Sequence, residues 1–152
     1  ALEWLDEAEG YRPGYVMLLQ PTSPLRTAQD IDACITLALE KDADGVVSLS
    51  QAKQHPYWLK RVTEDGQIAD FIPLDRPLET AYSRRQDLPP SYWINGAVYL
   101  VKQEILLERQ TFYTDYTYAY IMPQDRSLDI DTLWDFQMAE AMLQIKMRDE
   151  GV

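Results

Sequence analysis

Apolar positions fall in short blocks separated by polar, proline-containing stretches, and the spacing changes from block to block. Tyr15-Val16-Met17-Leu18-Leu19 is an unbroken run of strand length, which predicts a strand covered on both faces. Pro21 and Pro24 stop it in a loop that carries Gln20, Ser23 and Arg26. Thr27 is then placed to cap a helix over Ala28 to Lys41, with Asp30 three residues on and Ile31, Cys34, Ile35 and Ala38 along one face. Val46-Val47-Ser48-Leu49 predicts a second buried strand, which completes a β-α-β unit. Residues 57–62 and 67–71, around Glu64-Asp65-Gly66, predict a protruding hairpin.

The second half continues the alternation. Pro73 to Ser91 is a long loop rich in proline and charge, holding Arg84, Arg85 and Gln86. Trp93 to Val101 predicts a third strand, with Gly96 permitting close approach in its middle. A short helix over Lys102 to Gln110, an aromatic loop with Phe112 and Tyr113, and a strand over Tyr118 to Met122 follow. Leu133, Phe136, Ala139, Leu143 and Met147 repeat at helical spacing and predict a buried C-terminal helix. A helix over Ala1 to Gly10 implies a strand upstream of this sequence, so the chain is expected to be one α/β domain over 1–152 that begins mid-fold. His55 beside Pro56 is expected at the surface.

Composition narrows the partners. A formal charge of −11 argues against nucleic acid and anionic membrane surfaces, which are held by Lys and Arg. No apolar run is long enough to span a membrane, and the single cysteine, Cys34, fits a reducing cytoplasm. Ligands of open α/β sheets bind beyond the carboxyl ends of the strands, which directs attention to Gln20, Ser23 and Arg26. Asp129 and Asp131, two apart in Ser127 to Thr132, would face one way in an extended segment and suit Mg²⁺, which takes one or two carboxylates plus water and phosphate oxygens. The same residues also suit a helix cap at Asp131 or Thr132.

Four stretches in order, LLQPTSPLR (18–26), RQDLP (85–89), YWINGAVY (92–99) and SLDIDT (127–132), resemble the acylneuraminate cytidylyltransferases, the CMP-sialic acid synthetases. The resemblance implies a three-layer Rossmann-like nucleotide-sugar transferase fold with a mostly parallel sheet and a β-hairpin dimerisation element. It also implies transfer of CMP from CTP to a nine-carbon keto-sugar acid with release of pyrophosphate. Asp129 and Asp131 would hold Mg²⁺, Gln20 would contact the sugar acid, and Arg85, in a loop with Arg84 and Gln86, would pair with its carboxylate. Asn95 and Tyr99 would line the pocket. Phe112 and Tyr113 match an aromatic pair supplied by a second subunit, which implies a homodimer with composite sites. Trp93 and Ile94 replace the basic or polar residues usual ahead of NGA, which leaves the acid open among N-acetylneuraminic, pseudaminic, legionaminic and 3-deoxy-octulosonic acids. The six glycines are scattered and form no phosphate loop, so the chain looks like the C-terminal part of such an enzyme, either catalytic or a binding and dimerising remnant.

Overall fold

A computed structural model describes residues 2–149. In chain order the elements are α1 (Leu2–Glu9), β1 (Tyr15–Leu18), α2 (Ala28–Lys41), β2 (Gly45–Gln51), β3 (Lys60–Val62), β4 (Ile68–Asp70), α3 (Leu78–Ala81), β5 (Tyr92–Lys102), α4 (Gln103–Arg109), β6 (Thr117–Ile121) and α5 (Leu133–Asp149). They group into two compact units, residues 1–50 with 94–152, and residues 51–93.

The larger unit is built on a sheet of order β1-β5-β2-β6. β1 runs antiparallel to β5, with Tyr15 opposite Lys102 and Leu18 opposite Tyr99. β2 runs parallel to β6, from Gly45 opposite Thr117 to Leu49 opposite Ile121. Between β5 and β2, Lys102 donates its N–H to Asp44 O at 2.8 Å while Val98 donates to Ser48 Oγ at 2.8 Å, the descending pairing of antiparallel neighbours. Only one neighbouring pair is therefore parallel, and the expected mostly parallel sheet is corrected. The β1-α2-β2 crossover exists as expected, but β5 inserts between its two strands and runs against both. Lateral strand order is not written in an apolar run, whereas strand existence is.

β5 is the axis of this sheet. Asn95, Ala97, Val98, Leu100 and Val101 along it are buried. β1, at the edge, is only half-buried and Leu18 is exposed, so its apolar run does not reflect cover on both faces. Cys34 and Ala38, one turn apart on α2, are small enough to let the helix pack closely on Val46, Ala97, Val98, Leu100 and Met122. Burial of each of the larger of these side chains contributes roughly 1.5–3 kcal/mol. Around Cys34, desolvation comes first and the nearby Asp30 carboxylate second in pushing the thiol up to about 12.

α5 departs from expectation. Of its periodic residues only Ala139 is buried, and Leu133, Phe136, Leu143 and Met147 are exposed. Periodicity reports that a face is apolar and says nothing of what covers it. Phe136, Leu143 and Met147 instead line a groove with Pro24 and Ile130.

In the 51–93 unit, β3 and β4 pair antiparallel as the hairpin, from Lys60 opposite Asp70 to Val62 opposite Ile68. Gly66 takes φ +85° in its turn. Lys60 and Asp70 form an ion pair across the strands. His55 is not at the surface: it is buried, its Nδ1 accepts the Tyr57 N–H at 3.2 Å, and its ring packs edge-on to Tyr57 at 4.7 Å. A histidine that caps a short turn and stacks on aromatic neighbours satisfies its polar atom locally and can be enclosed.

Candidate functional site

The loop after β1 is held from within. Ser23 is buried, its N–H donates to Gln20 O at 3.3 Å, and its Oγ donates to Asn95 O at 3.4 Å. Arg26 Nη1 donates to Gln20 O at 3.2 Å and to Ala97 O at 2.6 Å. Both residues thus fasten the loop to β5, and the groups that do so point at backbone rather than at open space.

What this fastening presents is Gln20. Gly96 has φ +73°, a conformation that side chains disfavour, and a methyl group added there would overlap Gln20 Oε1 and stand 3.5 Å from Asp129 Oδ2. The carboxamide of Gln20 and the carboxylate of Asp129, 109 positions apart in the chain, meet over this one missing side chain. Ile130 N–H donates to Thr22 O at 2.9 Å and ties the two loops together.

Asp129 Oδ1 is buried and has no hydrogen-bond partner among the described residues. A carboxylate oxygen left so is costly, on the order of 1–3 kcal/mol, unless a cation or donor completes it. Tyr99 lies on the same side. Burial pushes its phenol above the ordinary range, with Tyr113 and the Asp129 charge acting in the same direction. Phe112 packs on Tyr99 with ring centres 5.5 Å apart, so this aromatic side chain is engaged within its own chain. Tyr113 beside it is exposed.

Asp131 is placed differently from its expected twin. Leu128 to Asp131 is not strand, Asp131 is exposed, and its N–H donates to Asp135 Oδ2 at 3.2 Å. Thr132 Oγ1 and N–H donate to the same oxygen at 2.7 and 2.8 Å, so the cap that the sequence left open falls on Thr132. Among the described residues, no three carboxylate, histidine or cysteine side chains gather as a metal site. One half-buried carboxylate with a buried, uncompleted oxygen, beside a carboxamide oxygen, is nevertheless the donor chemistry of a hard cation that keeps waters and phosphate oxygens as its other ligands.

Asn95 is fully enclosed, and its amide is satisfied by protein. Its Oδ1 accepts from Ser48 Oγ at 2.6 Å and from Ala97 N–H at 3.2 Å, while its Nδ2 donates to Ser127 Oγ at 3.0 Å. The residue expected to line the pocket therefore works from behind it. Ser48 lies within an apolar run and Ser127 opens the SLDIDT stretch, and neither position signals in the sequence that its hydroxyl meets Asn95.

Asp30 and Arg126 were missed as partners. Asp30 is fully buried; Arg126 Nη2 and Nε donate to its two oxygens at 2.7 and 3.0 Å, Tyr120 Oη donates at 2.9 Å, and Thr27 N–H and Oγ1 donate at 2.9 and 2.8 Å. Burial alone would raise this carboxyl, and the Arg126, Thr27 and Tyr120 bonds together outweigh it and hold it well below the ordinary range. The bond to Asp30 raises Arg126 in turn. A carboxylate on the Ile31-Cys34 face of α2 was the available signal, since a charge there needs a partner.

Arg84, Arg85 and Gln86 belong to the 51–93 unit and are exposed. Arg85 Nη2 donates to Ala52 O at 2.6 Å, and Arg85 and Gln86 line a cavity of about 140 Å³ with His55 and Ser91. A roomier cavity of about 720 Å³ opens at the other end of β1 and β5, away from Asp129. Its cations are already paired, Arg12 with Asp6 at 2.6 Å and Lys102 with Asp42 at 2.9 Å, so volume is a poor guide to chemistry here.

No family model matches the chain. It is 38% identical over 120 residues, 79% of its length, to the N-acylneuraminate cytidylyltransferase of Streptococcus agalactiae serotype V, and 34% identical over 135 residues, 88% of its length, to that of Escherichia coli O18:K1:H7. The CMP-N,N'-diacetyllegionaminic acid synthase of Legionella pneumophila is 28% identical over 131 residues, 86% of the chain. The matches span 28%, 30% and 54% of those proteins' own lengths. Over about four fifths of its residues, the chain is homologous to the N-acylneuraminate cytidylyltransferases.

Proposed function

We propose that this chain carries the sugar-acid and metal side of a cytidylyltransferase that moves CMP from CTP to a nine-carbon keto-sugar acid and releases pyrophosphate. The observation that carries this reading is the buried, uncompleted Oδ1 of Asp129 beside Gln20 over Gly96. In this reading Asp129 and Asp131 hold Mg²⁺. Bound there, the ion would neutralise phosphate charge and ease ionisation of the attacking sugar hydroxyl. The protein's part is positioning. Gln20 orients the sugar acid, and Tyr99, Phe112 and Tyr113 give it an aromatic wall; Arg85, with Arg84 and Gln86 beside it in the 51–93 unit, offers the guanidinium fork that suits a sugar-acid carboxylate. Ser23, Arg26 and Asn95 hold Gln20 and Asp129 in place.

The same reading includes a homodimer with composite sites, to which the β3-β4 hairpin contributes a contact. Exposed Val62, Ile68 and Phe71 support this. It also includes a three-layer Rossmann-like setting for the sheet and a cytoplasmic location; among the described residues, no helix is long and apolar enough to cross a membrane. The homologous legionaminic acid synthase favours a second acid, a legionaminic acid, for the same chemistry.

The test is pyrophosphate release from CTP and Mg²⁺ with a panel of neuraminic, legionaminic, pseudaminic and 3-deoxy-octulosonic acids. It compares a protein carrying this chain at the relatives' full length with its Asp129→Asn form. Release with one acid, lowered by about 100-fold or more in the variant, supports the reading. A folded protein that releases none with any acid is a binding remnant.

A further inference from the structure

The two loops that form the site leave the sheet separately, one from β1 and one from β6, and something must set their spacing. We infer that the Asp30–Arg126 pair is a positioning clamp that holds the Asp129 loop in register with the Gln20 loop. This deepens the cytidylyltransferase reading and rests on it for its catalytic consequence.

Each partner sits one short step from a site residue. Asp30 is in the first turn of α2, which the Gln20 loop enters directly, and Arg126 ends the 3-10 turn Gln124–Arg126, three residues ahead of Asp129. The bond is the two-pronged guanidinium-carboxylate fork, 2.7 and 3.0 Å, which fixes orientation as well as distance. Among the described residues, the donors on Asp30 come from the two loops and from β6, the edge strand that leads into the second: Thr27 from the Gln20 side, Arg126 from the Asp129 side, and Tyr120 from β6. A fully enclosed carboxylate with five donors is saturated, so it has no capacity left to bind a ligand or carry a proton; its use is mechanical. Beyond the clamp, the Ile130 N–H reaches Thr22 O at 2.9 Å, the one backbone bond between the loops among the described residues, and therefore the natural reporter of their register.

Amide exchange tests this in the chain itself. In the wild type, the Ile130 amide and the Arg126 Nε–H should show matching protection, both below that of the Lys102 amide at the far end of β5. In Arg126→Lys, which keeps the charge and loses the fork, Ile130 should exchange about 10-fold faster or more, and by a clearly larger factor than Lys102. Ile130 protection that is unmoved, that falls by the same factor as Lys102, or that is unmatched to Arg126 in the wild type overturns the clamp. At the relatives' full length, Arg126→Lys should lower kcat for pyrophosphate release about 10-fold, by a larger factor than it raises the CTP KM. Normal kcat overturns the catalytic consequence. A wild type that releases no pyrophosphate overturns the cytidylyltransferase reading instead and leaves the exchange result to decide the clamp.

Discussion

Asn95 Nδ2 donates to Ser127 Oγ across 3.0 Å, and through that bond the central strand of the sheet grips the chain two residues ahead of Asp129. Asn95→Ala would take one partner from each of the buried Ser48 and Ser127 hydroxyls, which keep Val98 and Pro123, and would free the Ala97 N–H, at about 1–2 kcal/mol of stability. Urea unfolding measures this. A loss under about 0.5 kcal/mol would return Asn95 to a role facing ligand rather than protein.

Two glycines with positive φ separate backbone strain from crowding. Gly66 at +85° has no neighbour within 4 Å of an added methyl, whereas Gly96 at +73° meets Gln20. Gly66→Ala should cost about 1–2 kcal/mol from backbone conformation alone. Gly96→Ala should cost more and should weaken sugar-acid binding by displacing Gln20. Equal losses by thermal unfolding would show that Gln20 moves aside freely.

Asp129 should behave as a group kept for function at the expense of stability. Removing the charge from its uncompleted buried oxygen in Asp129→Asn should leave the metal-free chain as stable or more so, by up to about 1 kcal/mol, while turnover collapses. A clear destabilisation in the chain without metal would mean that the oxygen has a partner in solution.

Asp30 should contribute to the acid limit of stability. Its folded-state carboxyl is held below its unfolded value, so its contribution is full above about pH 4 and is lost as pH falls through the folded-state value. Unfolding free energy should decline more steeply below about pH 4 in the wild type than in Asp30→Asn. At neutral pH that variant should be weaker by an amount toward the lower end of the roughly 3–5 kcal/mol of a broken buried pair, because Arg126 is partly exposed. Parallel pH curves would assign the acid limit elsewhere.

Arg85→Ala should raise KM for the sugar acid more than for CTP, since the fork suits a carboxylate. The opposite order would move Arg85 to the triphosphate.

Much of this was legible in the residues. The loop with Gln20, the helix capped at Thr27, the hairpin and the closely approached Gly96 all follow from local rules of proline, capping and period. What was not legible is long-range. Nothing local tells that β5 lies between β1 and β2, that Asn95 faces inward, or that Asp30, read as a capping residue, also receives Arg126 from 96 positions away. The burial of α5 was over-read for the same reason: a periodic face states a capacity for contact, and the contact itself depends on partners elsewhere.

The closed packing of α2 on the sheet gives the protein an internal clock. Cys34 is the single thiol in the sequence, fully enclosed and with its ionisation pushed up to about 12, so the folded chain offers an alkylating reagent neither access nor thiolate. Every labelling event therefore records an opening that separates α2 from β2 and β5; at low reagent the rate of modification reads the population of the open core, and at saturating reagent the rate at which it opens, without any engineered probe.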